Sequence, residues 1–485
     1  MENSIYYICV LYIKIIYPKL RVIVNVDGGM ETMVFWRKIY NQLLEWKNET
    51  QGEKALLIEG ARRIGKSTII EEFGKREYRS YILIDFNDVS DSVIEAFQNY
   101  LNDLDTFFLI LSTEYKKTLY PRESLIIFDE VQRFPKARQS IKKLVKDGRY
   151  DYIESGSLIS IKENVKDITL PSEERKISMY PMDFEEFCVA LDEKLMVDYI
   201  KACFEKRTPL EEKLHHKAMM LFRQFVIVGG MPRSVLKYKE NAKNFEKADL
   251  EKRDILALYR NDIMKIDGKY RSKVLALFDQ IPSFLSKHEK RVILSDIEKQ
   301  STFEQFHDTF FWLSDSMIAN ECFNCGDPNV GLSLNEDRTY VKCYMGDTGL
   351  LVSHTFDESP LEKEDLYRML LLGRLSVNEG MFFENAVAQE LVSKGHKLYF
   401  YTHYNEEKHR NDIEIDFLLS NKSKTRYKIL PVEVKSNDRY SITSLERFMD
   451  KYSDRIDMAY VIHPKNFKMT EKIMYLPAYM IMCIA

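Results

Sequence analysis

Ala55-Leu56-Leu57-Ile58-Glu59 runs straight into Gly60-Ala61-Arg62-Arg63-Ile64-Gly65-Lys66-Ser67-Thr68. A short apolar run ended by glycine reads as a buried strand, and the periodicity of Lys66–Lys75 reads as a helix. The residues between them fit G-x-x-x-x-G-K-[ST], in the strand–loop–helix context that motif requires. The glycines allow backbone N–H groups to close around a phosphate at a helix N-terminus, where negative charge is favoured. Gly60, Arg63, Gly65, Lys66, Ser67 and Thr68 are therefore expected to hold ATP. Lys66 would bridge the β- and γ-phosphates, and Ser67 would ligate Mg²⁺.

A second stretch completes that site. Ser124-Leu125-Ile126-Ile127-Phe128-Asp129-Glu130 is an apolar strand ending in two carboxylates. Strands of a parallel sheet end at the ligand crevice, so both acids are expected beside the phosphates. Asp129 is the expected holder of the Mg²⁺ shell, and Glu130 the expected base for the attacking water. Solvated acids are common at strand ends, but the phosphate loop upstream favours the catalytic reading.

Outward from these two stretches, short apolar runs alternate with helical patterns. Strands are expected at Ala55–Glu59, Tyr81–Phe86, Leu125–Phe128, Tyr150–Glu154 and Lys176–Tyr180, with helices between them. That alternation predicts a parallel α/β sheet covered on both faces. A helical region from Asp183 to about residue 265 follows, read as a lid. From Tyr270 to about His354 the order helix, short strand, helix, two strands suits a winged-helix unit. Its expected recognition helix, Thr302–Asp315, carries so many aromatics that a core role is the commoner reading. The organisation expected is an N-terminal extension (1–33), a P-loop ATPase domain (34–190), a helical lid (191–267), a winged-helix-like unit (268–360) and a C-terminal α/β domain (361–485).

The C-terminal domain carries a different chemistry. In Pro431-Val432-Glu433-Val434-Lys435, Glu433 and Lys435 are two apart and share a strand face. Ile413–Leu419 supplies Asp416 between apolar neighbours, and Glu384 lies on the helix ahead of the sheet. Asp416 and Glu433 suit Mg²⁺ or Mn²⁺ as hard oxygen ligands, and Lys435 would position or deprotonate water. Lys422, Lys424, Arg426 and Lys428 alternate between the acidic strands. They could contact phosphates, though such runs are more often a solvated edge, and the sequence does not decide between the two.

Residues about 34–190 resemble the prokaryotic AAA-type ATPases of the STAND-related, archaeal-type group. The resemblance rests on Gly60–Thr68, Leu125–Gln132, Tyr152-Ile153-Glu154-Ser155-Gly156-Ser157 and Met179–Phe187. It implies that Ser155, where such proteins more often have Thr, senses the γ-phosphate. It also implies that Arg175 acts as a charge-stabilising finger, against the plain alternative of a surface arginine in an acidic loop. Val228-Gly229-Gly230-Met231-Pro232-Arg233 resembles the turn whose proline, here Pro232, packs on adenine; Arg233 would be a weaker second sensor. About residues 380–465 resemble the PD-(D/E)XK, restriction-endonuclease-like fold in element order. That implies catalytic roles for Glu384 and Lys435 beside the metal ligands Asp416 and Glu433.

Composition fits this organisation. At 485 residues the chain has room for about three domains. A net charge of −4 removes whole-molecule attraction to nucleic acid, so any such binding must be local. Seven scattered cysteines read as reduced thiols of a cytoplasmic protein, and Cys322/Cys325 has no second pair at zinc spacing. Ile5–Tyr17 is too short to span a membrane, and no basic flank of a signal peptide precedes it. Met1–Gly29 reads as an extension ahead of a functional beginning at Met30 or Met33.

The expected activity is Mg²⁺-dependent ATP hydrolysis coupled to a metal-dependent nuclease-like domain acting on DNA or RNA, in a homo-oligomer without membrane contact. The rival is an ATP-dependent regulatory or scaffold switch whose C-terminal domain binds a partner without cutting. A helicase-like motor is a further rival, which would need nucleic-acid-stimulated hydrolysis and ring assembly.

Overall fold

The computed structural model describes residues 34–156, 173–266, 268–299, 303–329, 331–357, 363–374, 379–405, 407, 409–420 and 429–484. The N-terminal extension, Ser157 and the basic run Lys422–Lys428 lie outside them.

The first sheet contains β1 (Ala55–Glu59), β2 (Ser80–Asp85), β3 (Ser124–Asp129), β4 (Asp151–Gly156) and β5 (Glu174–Ser178), in the order β2-β3-β4-β1-β5. All its pairings are parallel. Each strand lies within two residues of its expected position. The inner strands β1, β3 and β4 are buried on both faces, and β1 and β3 are accordingly nearly continuous apolar runs, while the edge strands β2 and β5 are only partly covered. Leu56, Ile58, Leu125 and Ile127 pack with the helices Ile39–Thr50 and Lys66–Glu77. Ala55, Leu57, Ile126 and Phe128 pack on the other face with the helices Asp91–Asn99, Leu104–Glu114 and Pro135–Asp147. Because β4 lies between β1 and β3, its C-terminal end stands between the glycine loop and the two acids.

The expected lid is helical: Lys194–Lys206, Glu212–Val228, Pro232–Glu240 and Phe245–Ile263. The winged-helix expectation needs correction. β6 (Ala319–Cys325) and β7 (Glu336–Met345) do form an antiparallel hairpin. The hairpin is not a free wing, because Cys322–Asn324 of β6 pair in parallel with Leu398–Phe400 of β8 (Leu398–Asn405). With β9 (Arg410–Ile415) the order is β7-β6-β8-β9, a sheet shared across the expected boundary at 360/361. The helix Phe303–Asp315 turns Phe306, Phe310 and Leu313 into the core and leaves Phe311 exposed, so most of its apolar surface serves packing.

The last sheet holds β10 (Phe417–Ser420), β11 (Ile429–Val434), β12 (Ala459–His463), β13 (Lys468–Met469) and β14 (Ile473–Pro477), in the order β10-β11-β12-β14-β13. β10 and β11 are antiparallel, while β11, β12 and β14 are parallel. The run expected as one strand, Ile413–Leu419, is broken at Asp416, which falls between β9 and β10. The helix Glu379–Ser393 is buried all round from Met381 to Leu391, as expected of a helix enclosed by other elements. One apolar cluster runs from Phe35 through the lid and this helix to Ile484, joining the ATPase part to the C-terminal part.

Candidate functional sites: a phosphate loop and a carboxylate–lysine cluster

The loop after β1 has the conformation its glycines permit. Gly65 sits at φ +92°, a left-handed position, and heads the helix Lys66–Glu77 without a side-chain cap. The helix therefore presents its first N–H groups towards a ligand. A Cβ on Gly60 would lie 2.4 Å from the Met179 carbonyl oxygen, so the chain passes too close there for any side chain. Lys66 is buried, and its Nζ donates to the carbonyls of Gly60 and Ala61, each at 2.8 Å. Burial pushes its ammonium down to about 8, against the pull of Glu130 and Asp129. A loop curled around one buried ammonium, with an uncapped helix end, fits a phosphate chain.

The acids arrive where the sheet order places them. Ser155 Oγ, at the end of β4, donates a short hydrogen bond to Asp129 Oδ1. Glu130 is left-handed at φ 54° and accepts a hydrogen bond from Gln132 Nε2 at 2.5 Å. Ser67 is half-buried on the first turn, while Arg63 and Thr68 are exposed. Pro232 stands close to the loop: its Cγ lies 3.6 Å from where a Cβ on Gly65 would be. Arg233 points elsewhere and pairs with Glu251 at 3.0 Å.

Arg175 does not join this group. It pairs across β1 with Leu56, three residues before the strand's crevice end at Glu59, a distance of about 10 Å. Its guanidinium is bound to Glu49 at 2.6 Å.

Three residues without an expected role brace the loop. Arg37, buried ahead of the first helix, donates to the Ile64 carbonyl at 2.9 Å, to the Tyr180 carbonyl at 2.6 Å and to Glu186 at 3.0 Å. From the lid, Asp262 accepts from Arg62 NH1 with both carboxylate oxygens, at 2.8 and 2.9 Å, and Tyr259 donates to the Arg62 carbonyl at 3.2 Å. An arginine in the apolar segment Phe35–Tyr40 was the one available signal for Arg37.

In the C-terminal part, Glu384, Asp416, Glu433 and Lys435 do gather, and two lysines that sequence reasoning missed gather with them. Lys290 makes a short ion pair with Glu384 Oε2. Lys342 on β7 is fully buried; its Nζ lies 3.3 Å from Glu414, 3.5 Å from Glu384 and 4.0 Å from Asp416. Tyr344 donates to Glu384 Oε1 at 2.5 Å. Burial alone would raise Glu384, but Lys290 and Lys342 outweigh it and hold its pKa at about 2. Burial and then Glu384 push Asp416 up to about 6; burial and then Asp416 push Glu433 up to about 8.

The oxygens divide clearly. Asp416 Oδ2 accepts the Val434 N–H at 2.8 Å, and Glu433 Oε1 accepts from Lys435 at 2.6 Å. Glu433 Oε2 is buried with no hydrogen-bond partner. Two repelling carboxylates with one orphan oxygen fit a divalent cation. Glu384 does not fit as a ligand, since both of its oxygens are engaged. Among the described residues, the group of three ligating side chains converging within 4.8 Å is instead Glu212, His215 and His216 on a lid helix. The described cysteines are free, and Cys322 and Cys325 are both buried.

No helix among the described residues is long and apolar enough to cross a membrane. Residues 52–188 match a family profile described as an AAA domain. Residues 219–360 and 379–481 match two domains of unknown function, DUF8612 and DUF4143. No curated protein matches the chain. Among solved structures, a Walker-type ATPase of Pyrococcus abyssi is similar at 15% identity, covering 69% of this chain and 99% of that one, with a TM-score of 0.39. The Aeropyrum pernix ORC1 protein in complex with DNA is similar at 9% identity, over 67% and 93%, with a TM-score of 0.26. AMPPCP-bound DnaA from Aquifex aeolicus is similar at 14% identity, over 70% and 94%, with a TM-score of 0.24. All three scores are low, and the assignment rests on the family match and on the loop, the strand-end acids and the sheet order. Residues 52–188 are an AAA-type P-loop domain of the ATPase class.

Proposed function

We propose that the chain hydrolyses ATP with Mg²⁺ and uses the nucleotide state to govern a C-terminal site that acts on DNA or RNA. The observation that carries this reading is the convergence of Lys66, Asp129, Glu130 and Ser155 at the ends of adjacent strands. Lys66 would leave the Gly60 and Ala61 carbonyls for the β- and γ-phosphates. Ser67 and Asp129 would hold Mg²⁺, which neutralises charge developing on the transferred phosphoryl group. Glu130 would take the proton of the attacking water, and Ser155 would hold Asp129 and read the γ-phosphate. Pro232 would bear on the base. Arg175 would serve only towards a neighbouring copy in an oligomer, since within its own chain it lies away from the phosphates. Six free thiols among the described residues support a reducing, cytoplasmic setting.

For the C-terminal part, the order helix, four strands, helix, strand, in which β9 and β10 divide the run expected as one strand, supports a restriction-endonuclease-like reading. Asp416 and Glu433 would hold Mg²⁺ or Mn²⁺, and Lys435 would position the attacking water on a phosphodiester. The second reading is a domain that binds its partner without cutting it. The neutralisation of Glu384 by Lys290 and Lys342 favours that one. Incubation of the purified chain with mixed DNA and RNA, with and without metal and ATP, tests both readings. Cleavage that Lys435→Ala abolishes supports the nuclease; ATP turnover without cleavage under any condition supports the binding domain.

A further inference from the structure

We infer that Lys342 is a built-in cation of the C-terminal carboxylate site, occupying by its ammonium the place of a second divalent ion, so that the native site takes one metal ion. The inference rests on the reading of Asp416 and Glu433 as metal ligands.

Lys342 reaches its position by strand register. It pairs with Cys322 on β6, and its side chain runs along the sheet face past Phe400, whose ring centroid is 4.9 Å from Nζ. Glu414 lies opposite Thr402 on the next strand, and Asp416 follows two residues on, on the same face. The helix Glu379–Ser393 covers that face and lowers Glu384 onto it. The result is one fully buried ammonium among three carboxylates at 3.3–4.0 Å. An ammonium removed from water costs several kcal/mol unless its surroundings compensate it. Here they compensate it several times over, as they would a metal ion.

Charge and the unpartnered Glu433 oxygen both suit a single metal ion. With all four carboxylates ionised, as metal ligation requires of Asp416 and Glu433, Glu384, Glu414, Asp416 and Glu433 stand against Lys290, Lys342 and Lys435, leaving one net negative charge. One dication brings the cluster to one net positive charge; a second would bring it to three. Asp416 is shared: Oδ1 lies 4.0 Å from Lys342 Nζ, and Oδ2 accepts from the N–H of Val434, the residue after Glu433. In two-metal phosphodiesterases a carboxylate-lined site holds two cations about 3.5–4 Å apart. Here the one buried carboxylate oxygen of the pair without a hydrogen-bond partner is Glu433 Oε2, enough to call for one ion.

The test is Mn²⁺ stoichiometry of the full chain without nucleotide, by titration followed with electron paramagnetic resonance. Asp416→Asn identifies the ions that belong to this site. Wild type is expected to bind one such ion, Lys342→Met two, and Lys342→Arg, which keeps the charge, one. Two ions in wild type would overturn the inference and leave the metal reading intact. Equal counts in wild type and in folded Lys342→Met would overturn it as well. None in wild type would overturn the inference together with the metal reading of the native site, whatever Lys342→Met binds. Should Lys342→Met not fold, judged by circular dichroism, the wild-type and Lys342→Arg counts still decide: one each upholds the inference, and two in either overturns it.

Discussion

The Asp347 carboxylate accepts the backbone N–H of Gly230 at 2.5 Å, tying the turn before Pro232 to the start of the helix Thr348–Thr355. The same carboxylate caps that helix by accepting from Leu350 N at 2.9 Å. The contact is close because the turn has no side chains: a Cβ on Gly229 would lie 2.2 Å from Asp347 Oδ1, and one on Gly230 2.0 Å from the Met182 carbonyl oxygen. Gln389 then bridges Met182, Thr348 and Asp347 from the helix that carries Glu384. A physical chain of contacts thus links the nucleotide side of the lid to the carboxylate–lysine cluster.

Removing that carboxylate tests the link. Asp347→Ala leaves two buried N–H groups unsatisfied and an uncapped helix, a loss of about 2–4 kcal/mol. The lid turn should also slacken, weakening ATP binding several-fold, because Pro232 follows it directly. Urea unfolding and nucleotide titration measure the two effects separately. A variant matching wild type in both would show that the contact carries neither stability nor binding.

In the phosphate site, two substitutions should behave differently. Lys66→Ala removes the ammonium from the loop and should abolish ATP binding or weaken it severely. Glu130→Gln keeps the shape and loses the base, so binding should survive while turnover falls by about 10²-fold or more. Turnover at the wild-type rate in Glu130→Gln would displace Glu130 from the role of base.

The convergence of the glycine loop with the strand-end acids was legible in the sequence because its parts are local. Ala55–Ser67 and Ser124–Glu130 each carry a strand, a turn and the candidate residues within a few positions, and buried inner strands announce themselves as apolar runs. The carboxylate–lysine cluster was legible only in its C-terminal half. Lys342 sits in Val341-Lys342-Cys343-Tyr344, where one charge in an apolar strand gives no sign of partners 42 to 74 positions away. Nor does Ala319–Cys325 reveal that its edge pairs with Leu398 rather than ending a hairpin, since strand pairing across a long loop is a tertiary choice. Arg175 lies back from the crevice for a related reason: a motif locates a residue along a strand only if the strand's end is known, and β5 begins two residues before the expected Lys176.

The shared sheet also predicts a pH dependence away from either site. Glu321 on β6 is pushed up to about 7 by burial, and then by Asp315 and Glu336, with Arg338 opposing. A carboxylate whose folded pKa lies above its unfolded value binds more protons in the folded state. Its contribution to stability is therefore complete below about pH 4.5 and is lost as pH rises through 7. Wild type should lose melting temperature relative to Glu321→Gln between pH 4.5 and 7, and the difference should level off above that range. A difference constant across the range would mean that Glu321 titrates normally.

The sharpest prediction concerns metal at Asp416 and Glu433. Two buried carboxylates that repel are relieved by a cation between them, so Mg²⁺ or Mn²⁺ should raise the melting temperature over EDTA. The rise should grow with the logarithm of metal concentration, as linkage requires. The full chain is the proper object, because β8 would lose its partner β6 in any fragment cut before Glu379. The P-loop contribution is removed by omitting nucleotide. Asp416→Asn should be the less metal-responsive protein, and Glu384→Gln should keep the response, since Glu384 is committed to Lys290 and Tyr344. Nuclease activity followed in the same samples separates the two functional readings. A metal shift lost in Asp416→Asn, with cleavage that needs Lys435, supports a working nuclease. The same shift without cleavage supports a domain that binds and does not cut. Equal melting in EDTA and in saturating Mn²⁺ would remove the metal site altogether.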